Sequence, residues 1–386
     1  MTTQTLKNWH GVKLDDVLEF YNGKSIKKSQ YGEIYPVYGA NGIIGFADNF
    51  LYEDSIIIGR VGAYCGSVQY ERNKFWPSDN TIVVKAKAGK SENAFLYFAL
   101  KNKNLNNYAG GAAQPLVTQR DLKQLEIDLP DIPTQKQIAD VLSTYDDLIE
   151  NNTRRIQILE QTAQAIYSEW FGSPASSWKT VSLRDVIEFY IGGGWGKEEP
   201  DKKYSDTAYV IRGTDIPNAS TGNISTCPLR YHTPSNLSTR VLQDGDLVFE
   251  VSGGSKGQPV GRSLLATSKF LNQFGQSVIC ASFCKLIRPN QDKISPFQLY
   301  EQILSWYTNG VIEKYQVQST GISNFRFESF INEEKVTLPP DEIREKFDHL
   351  MTPLFDEIYS LGNQNQSLRQ TRDLLIPKLV TGGINI

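Results

Sequence analysis

The chain has 386 residues, 40% of them apolar and 11% aromatic, with 40 basic against 43 acidic residues and a net charge of −3. That length accommodates two or three domains of ordinary size. The apolar content excludes a disordered chain, and the slightly negative charge excludes a protein that holds nucleic acid by bulk electrostatics alone. No apolar run approaches the ~18 residues of a membrane span, and the start lacks a signal-peptide pattern, so a cytoplasmic location is expected. Cys65, Cys227, Cys280 and Cys284 have no zinc-type spacing and are expected to be reduced and mostly buried.

In chain order, the first signal is a head motif: Trp9, Val12, Leu14, Asp16, Val17, Glu19, Phe20, Tyr21 and Gly23. It returns 169 residues later as Trp178, Val181, Leu183, Asp185, Val186, Glu188, Phe189, Tyr190 and Gly192, nine identities in fifteen positions. After the first copy comes a polar, basic loop (Lys24, Lys27, Lys28, Gln30, Tyr31), then a β-type run at Ser55 to Ile58 followed by Arg60, Gly62, Tyr64 and Gly66. Thr81 to Val84 predicts another strand, and Asn93 to Lys101 a helix.

From Leu129-Pro130-Asp131-Ile132-Pro133 the pattern changes. Apolar residues fall on alternate fours and threes, at Ile138, Leu142, Tyr145, Ile149, Ile156, Leu159, Ala163, Ile166 and Trp170, with Asn152 in the same series. That spacing predicts a long helix paired as a coiled coil, ending at Phe171 before Gly172, Ser173 and Pro174. From Pro133 it would span ~58 Å at about 1.5 Å per residue. An offset of 209 gives the second copy: Phe347, Met351, Leu354, Ile358, Leu361, Asn365, Leu368, Arg372, Leu375 and Leu379, starting at Leu338-Pro339-Pro340-Asp341 and ending before Thr381. Pro353 predicts a kink or local opening near its first third. Asn152 and Asn365 either fix register in the seam or turn partly to solvent.

The second globular stretch shows β-type runs at Asp246 to Phe249 and Ser277 to Cys280 and a helix at Pro296 to Thr308. The change of offset from 169 to 209 implies about 40 additional residues in this domain. The predicted fold class is α+β, with two mixed α/β domains (1–130 and 172–339), a long helix after each (131–171 and 340–386), and the helices antiparallel in a coiled coil under a rough two-fold axis.

Chemistry is sparse. His10, His232 and His349 are too few for a histidine triad or a multi-histidine metal site, and each is expected at the surface. Gly89-Lys90-Ser91 and Gly196-Lys197 both lack the first glycine of a phosphate-binding loop. Glu333-Glu334-Lys335 resembles part of a nuclease motif without the preceding Pro-Asp pair, and no Asn-Pro-Pro-Phe type of sequence occurs. No catalytic residue and no metal site are predicted. The loops instead hold the vocabulary of base and phosphate contact. Besides the first-domain residues above, the second domain offers Trp195, Lys197, Arg212, Thr214, Ser252, Ser255, Lys256, Gln258 and Arg262. At any single position a solvated loop residue explains as much, so the case rests on both domains placing such residues in corresponding loops.

Leu129-Pro130 through Gln137, Ile138, Ala139, Leu142, Asp147 and Ile149, the C-terminal Leu368-Arg369, Arg372 to Leu375, Pro377 to Leu379 and Gly382, and the Gly110 to Leu116 segment with Gln114 together resemble the specificity subunit of Type I restriction-modification systems, over essentially the whole chain. Arg344-Glu345-Lys346 depart from the Gln135-Lys136-Gln137 of the first copy. The resemblance implies two target recognition domains, each reading one half of a split asymmetric DNA site, Gln114 among the contacts, and helices that set the gap between halves. It also implies two methyltransferase subunits docked on the helices, bringing S-adenosylmethionine and flipping the target adenine. ATP- and Mg-dependent restriction subunits complete the expected complex, and this chain itself is expected to hold no cofactor. A coiled-coil scaffold joining two domains for ligands other than DNA is the competing reading. A stand-alone nuclease or methyltransferase ranks below both.

Overall fold

The computed structural model describes residues 9–110, 115–253, 258–319 and 322–384. The chain forms two compact units, one of Met1–Leu148 with Leu368–Ile386 and one of Ile149–Ser367.

In the first unit the strands are β1 His10–Lys13, β2 Leu18–Asn22, β3 Tyr31–Gly39, β4 Gly42–Ala47, β5 Ser55–Gly59, β6 Val68–Glu71, β7 Trp76–Pro77, β8 Thr81–Ala86 and β9 Glu126–Leu129. They form a four-stranded sheet ordered β2-β8-β5-β6, a three-stranded sheet β4-β3-β7, and a two-stranded ribbon of β1 with β9. In the second unit they are β10 Lys179–Ser182, β11 Ile187–Gly192, β12 Asp206–Ile211, β13 Leu229–His232, β14 Asp246–Glu250, β15 Ser252–Gly253, β16 Ser263–Ala266, β17 Val278–Cys280, β18 Cys284–Pro289, β19 Gln316–Ser319, β20 Ile322–Phe325 and β21 Lys335–Leu338. Here β11-β18-β14-β16 repeats the four-stranded order, β13-β12-β17 the three-stranded order with one antiparallel and one parallel pairing, and β10 with β21 the ribbon.

The two offsets read from the sequence reappear as strand registers. β1 to β10 is a shift of 169, and β9 to β21 a shift of 209. Between them the offset climbs in steps, 191 at Ser55 and Asp246, 195 at Val68 and Ser263, and 203 at Thr81 and Cys284. More than half of the added length therefore lies between β11 and β14, where β3 and β4 form a tight hairpin in the first unit but β12 and β13 are separated by a connection containing the short Ile216–Ala219 helix. A third small sheet, β15-β20-β19, is the other addition.

The β-type runs at Ile56–Ile58 and Ile82–Val84 are fully buried because β5 and β8 are central strands covered on both faces. Helices Asn93–Asn102 and Pro296–Thr308 fall where the sequence placed them. The latter starts cleanly, since the Ser295 Oγ accepts from Phe297 N–H and Gln298 N–H, and Pro296 occupies a position that needs no donor.

The long helices run Ile132–Phe171 and Asp341–Val380. Asp131 caps the first, its carboxylate accepting the Thr134 N–H at 2.9 Å, and Gly382, at φ +71°, follows the second. The expected opening at Pro353 does not occur. The helix continues through it with the ring on the exposed side, so the missing donor is not a buried defect. All twenty seam positions are buried or half-buried.

In the first unit Ile138 and Leu142 share a core with Ile376, Leu379 and Val380, and Arg372 bonds to Asp146. In the second, partners recede along one helix as they advance along the other: Ile149 with Asn365, Arg155 with Glu357 at 2.6 Å, Trp170 with Phe347 at 5.8 Å between ring centroids. The pairing is antiparallel in each unit. Both asparagines are buried. The Asn365 Nδ2 donates to the Ile149 carbonyl at 3.4 Å and the Thr153 Oγ1 at 3.3 Å, while its Oδ1 has no partner among the described residues.

Gly362 sits inside the second long helix, where glycine costs about 1 kcal/mol relative to alanine. A Cβ there would lie 1.9 Å from the Thr221 carbonyl oxygen, because the Thr221-Gly222 turn crosses directly over the helix backbone. Gly222, at φ +81°, answers it from the other side.

The four cysteines are buried and free. His10 and His349 are exposed, but His232 is a correction: it is almost fully buried beneath Gly196, with burial pushing its pKa down.

Candidate nucleic-acid interface

One turn organises the loops in each domain. In the first, residues Ser78 to Asn80 between β7 and β8 receive two backbone segments. Gly23 N–H bonds to the Thr81 carbonyl at 3.0 Å and Lys24 N–H to Pro77 at 2.9 Å, while Arg60 N–H bonds to Asn80 at 2.9 Å. Gly23 is required, since a Cβ there would come within 1.8 Å of the Ser78 carbonyl oxygen.

In the second domain the turn between β17 and β18, Ala281 to Phe283, does the same. Gly193 N–H bonds to Cys284 at 3.0 Å, Gly194 N–H to Cys280 at 2.9 Å, and Val251 N–H to Phe283 at 2.9 Å. The loops after β2 and β5, and after β11 and β14, are thus brought together by equivalent hydrogen bonds. The side chains at the junction differ: Arg60 and Asn80 in one, Val251 and Phe283 in the other.

In the first domain the structure leaves the sequence-selected cations available. Lys24, Lys27, Lys28 and Arg60 form no side-chain ion pair or hydrogen bond among the described residues. Gln30 is partly engaged, its Oε1 accepting Lys27 N–H at 2.9 Å. Tyr31 and Tyr64 are exposed rings. Gln114 lies outside the described residues, but the residues that follow it are placed. Gly62 N–H bonds to the Pro115 carbonyl at 3.2 Å, and Val117 N–H to the Arg60 carbonyl at 3.0 Å.

In the second domain Trp195, Arg212, Thr214, Ser252, Gln258 and Arg262 line one cavity of about 800 Å³. Its arginines are engaged internally. Arg262 makes a two-point pair with Glu250 at 2.9 and 2.6 Å, with the side chains 13% and 2% exposed. Arg212 holds Asp215 at two 2.8 Å contacts and donates to the Thr226 carbonyl. Burial alone pushes the Asp215 carboxyl up, but bonds from Arg212 and Thr226 outweigh it and hold the group below its usual range.

Lys197 pairs with Asp201 and lies 4.5 Å from the Tyr204 ring centre. Ser252 donates to Asn324 at 2.8 Å. Trp195 is half-exposed with the Arg230 guanidinium 4.4 Å over its ring. Ser255 and Lys256 lie outside the described residues.

Sequence reasoning missed Phe283 and Glu250. Phe283 is 59% exposed on the organising turn and lines the same cavity, yet in sequence it reads as core. Glu250 ends a fully buried strand, which is where a lone carboxylate is least expected.

The two domains share one topology, and each presents a loop cluster built on one turn, with different side chains upon it. Residues 6–161 match the family described as Type I restriction modification DNA specificity domain. The chain is 26% identical over 320 residues to the Type I restriction enzyme MjaIX specificity subunit of Methanocaldococcus jannaschii, covering 76% of this chain and 69% of that one. It is 31% identical over 140 residues to the EcoprrI specificity subunit of Escherichia coli, covering 36% and 35%. The crystal structure of a Type-I restriction-modification S subunit from M. genitalium shares the fold, with a TM-score of 0.63 and 16% identity over 98% of this chain and 97% of that one. Residues 6–161 thus carry the Type I DNA specificity domain, and over most of its length the chain is similar to Type I restriction-modification specificity subunits. No described helix is long and apolar enough to cross a membrane.

Proposed function

We propose that each globular domain reads one half of a bipartite, asymmetric DNA site through the loops gathered on its organising turn, and that the paired helices set the spacing between halves. The observation that carries this reading is the equivalent hydrogen-bonded junction in both domains with unlike side chains upon it. A shared scaffold with different contacts is what reading two different half-sites requires.

The partners in this reading are two methyltransferase subunits, which supply S-adenosylmethionine and the adenine-flipping chemistry, and restriction subunits that use ATP and Mg. Such a complex works on DNA in the cytoplasm. Docking of the methyltransferase on the helices is supported by apolar residues outside the seam: Val141 and Leu148, one heptad apart, and Leu374 are exposed in the first unit.

The test is an exchange of residues 1–130 for the corresponding domain of a relative with a different site, followed by methylation mapping in cells. One half of the methylated sequence should change and the other persist. A change in both halves, or in neither, overturns the reading.

A further inference from the structure

The second unit contains a separate cavity of about 640 Å³ between the polar face of the first long helix, the Pro296–Thr308 helix and the second long helix. The volume is in the range of small-ligand sites. Gln157, Glu160, Gln161 and Gln164 line it from the first long helix, and Tyr300 and Glu301 from the helix opposite. Glu301 is only 2% exposed, and its Oε2 has no hydrogen-bond partner among the described residues. A buried carboxyl group without a partner costs free energy that a leucine at this position would not. The basic side chain in the lining, Arg262, does not relieve it, because its guanidinium is held by Glu250.

We propose that this cavity is a binding site for one organic cation, an alkylammonium or guanidinium group, held between the Glu160 and Glu301 carboxylates with glutamine amides and the Tyr300 ring completing the surround. Two carboxylates that face one space without a counter-ion repel each other, and the repulsion is relieved by a proton on one of them or by a positive group between them. Aromatic and amide walls favour a diffuse organic cation over a small hydrated metal ion, which takes oxygen ligands in a tight shell. The groups facing Glu301 are Glu160 from the first long helix, Tyr300 and Tyr307 from its own helix, and Arg262. Tyr167, on the first long helix, also feels its charge.

Burial, and then the Glu160 charge, push the Glu301 carboxyl up to about 8. Below that pH the empty site holds a proton, and a bound cation must expel it. Binding should therefore release a proton at neutral pH and tighten as pH rises.

The experiment is calorimetric titration of the full chain with spermidine and with methylguanidinium, at about pH 6 and about pH 8.5, in buffers of different ionisation enthalpy. Expected are affinity higher by about tenfold or more at the upper pH, proton release at neutral pH, and loss of both in Glu301→Gln. Glu160→Gln keeps the buried group and serves if that variant fails to fold; it should weaken binding and move its onset to lower pH. No binding of either probe at millimolar concentration, or equal binding to the Glu160→Gln/Glu301→Gln chain, overturns the proposal and leaves a water-filled void with a protonated Glu301. Repeating the titration on the assembled complex separates the sources of the cation. Competition by assembly identifies a basic side chain of a partner subunit, and unchanged binding identifies a free small molecule.

Discussion

Replacing Arg262 with alanine separates a residue that holds the reading surface in shape from one that touches DNA. Its guanidinium pairs at two points with Glu250, which is 2% exposed at the end of a buried strand. Removing one member of such a pair leaves an uncompensated buried charge, at a cost of about 3–5 kcal/mol. In a unit of this size that corresponds to a fall in melting temperature of roughly 10 °C.

The paired change Arg262→Met with Glu250→Gln removes both charges and should recover most of the loss, since a buried pair contributes little beyond what an apolar replacement gives. Thermal and urea unfolding measure the stability, and titration with the cognate duplex below the melting range measures affinity. The reasoning is refuted if Arg262→Ala melts with the parent while its DNA affinity falls by an order of magnitude. That outcome would make Arg262 a contact and the ion pair incidental.

Arg60 should behave in the opposite way: Arg60→Ala is expected to leave the melting temperature unchanged, weaken binding, and reduce the salt dependence of affinity by about one counter-ion, read from titrations over a range of salt. For Glu301, a folded-state value of about 8 against an ordinary 4.5 means the folded chain keeps a proton that the unfolded chain has released. Stability should therefore fall as pH rises between those values, by roughly 3–5 kcal/mol in the empty protein. Urea midpoints across that window should show the slope, and Glu301→Gln should flatten it; a midpoint that does not vary in the parent would contradict the assignment. Asn365→Leu removes a buried oxygen without a partner and two long hydrogen bonds, and should raise stability by about 1 kcal/mol. A loss of that size in urea unfolding would mean the weak bonds to Ile149 and Thr153 matter more than the orphaned oxygen.

The helices were legible because their information is local. A heptad repeat bounded by Pro130 and Gly172, or by Pro340 and Gly382, states start, stop and buried face within forty residues. The doubled head motif was legible for the same reason: its offset of 169 carries β1 onto β10, as the helix offset of 209 carries β9 onto β21, and each pair forms the same ribbon. Arg372, an odd residue for a seam, is explained by Asp146 and Asp373, of which only the second is a sequence neighbour. Arg344, where the first copy has Gln135, performs a comparable task. Gln135 ties the helix start to Glu92, and Arg344 ties its own to the Asp292 carbonyl.

The candidate surface was legible only as a set of loops. Arg212 and Arg262 carry the residue type of a base contact, but their bonding is decided by Asp215 and Glu250, whose burial depends on sheets assembled from distant strands. The organising turns were invisible because they are made of backbone bonds, such as Arg60 to Asn80 and Val251 to Phe283, which no side-chain pattern announces. At Pro353 the helix does not open, because proline is costly where its missing donor is buried, and here it faces outward.

The crossing of Thr221-Gly222 over Gly362 restricts how this molecule can be rebuilt. A transplanted second domain brings its own version of the 221–222 turn, and that turn must descend onto a bare stretch of helix main chain. An alanine at 362 in the recipient would lift the newcomer off its seat by the width of a methyl group, tilting whatever surface it carries. Interchange of this domain between relatives is thus constrained at one backbone crossing, and a chimera that fails there would be mistaken for one with the wrong specificity.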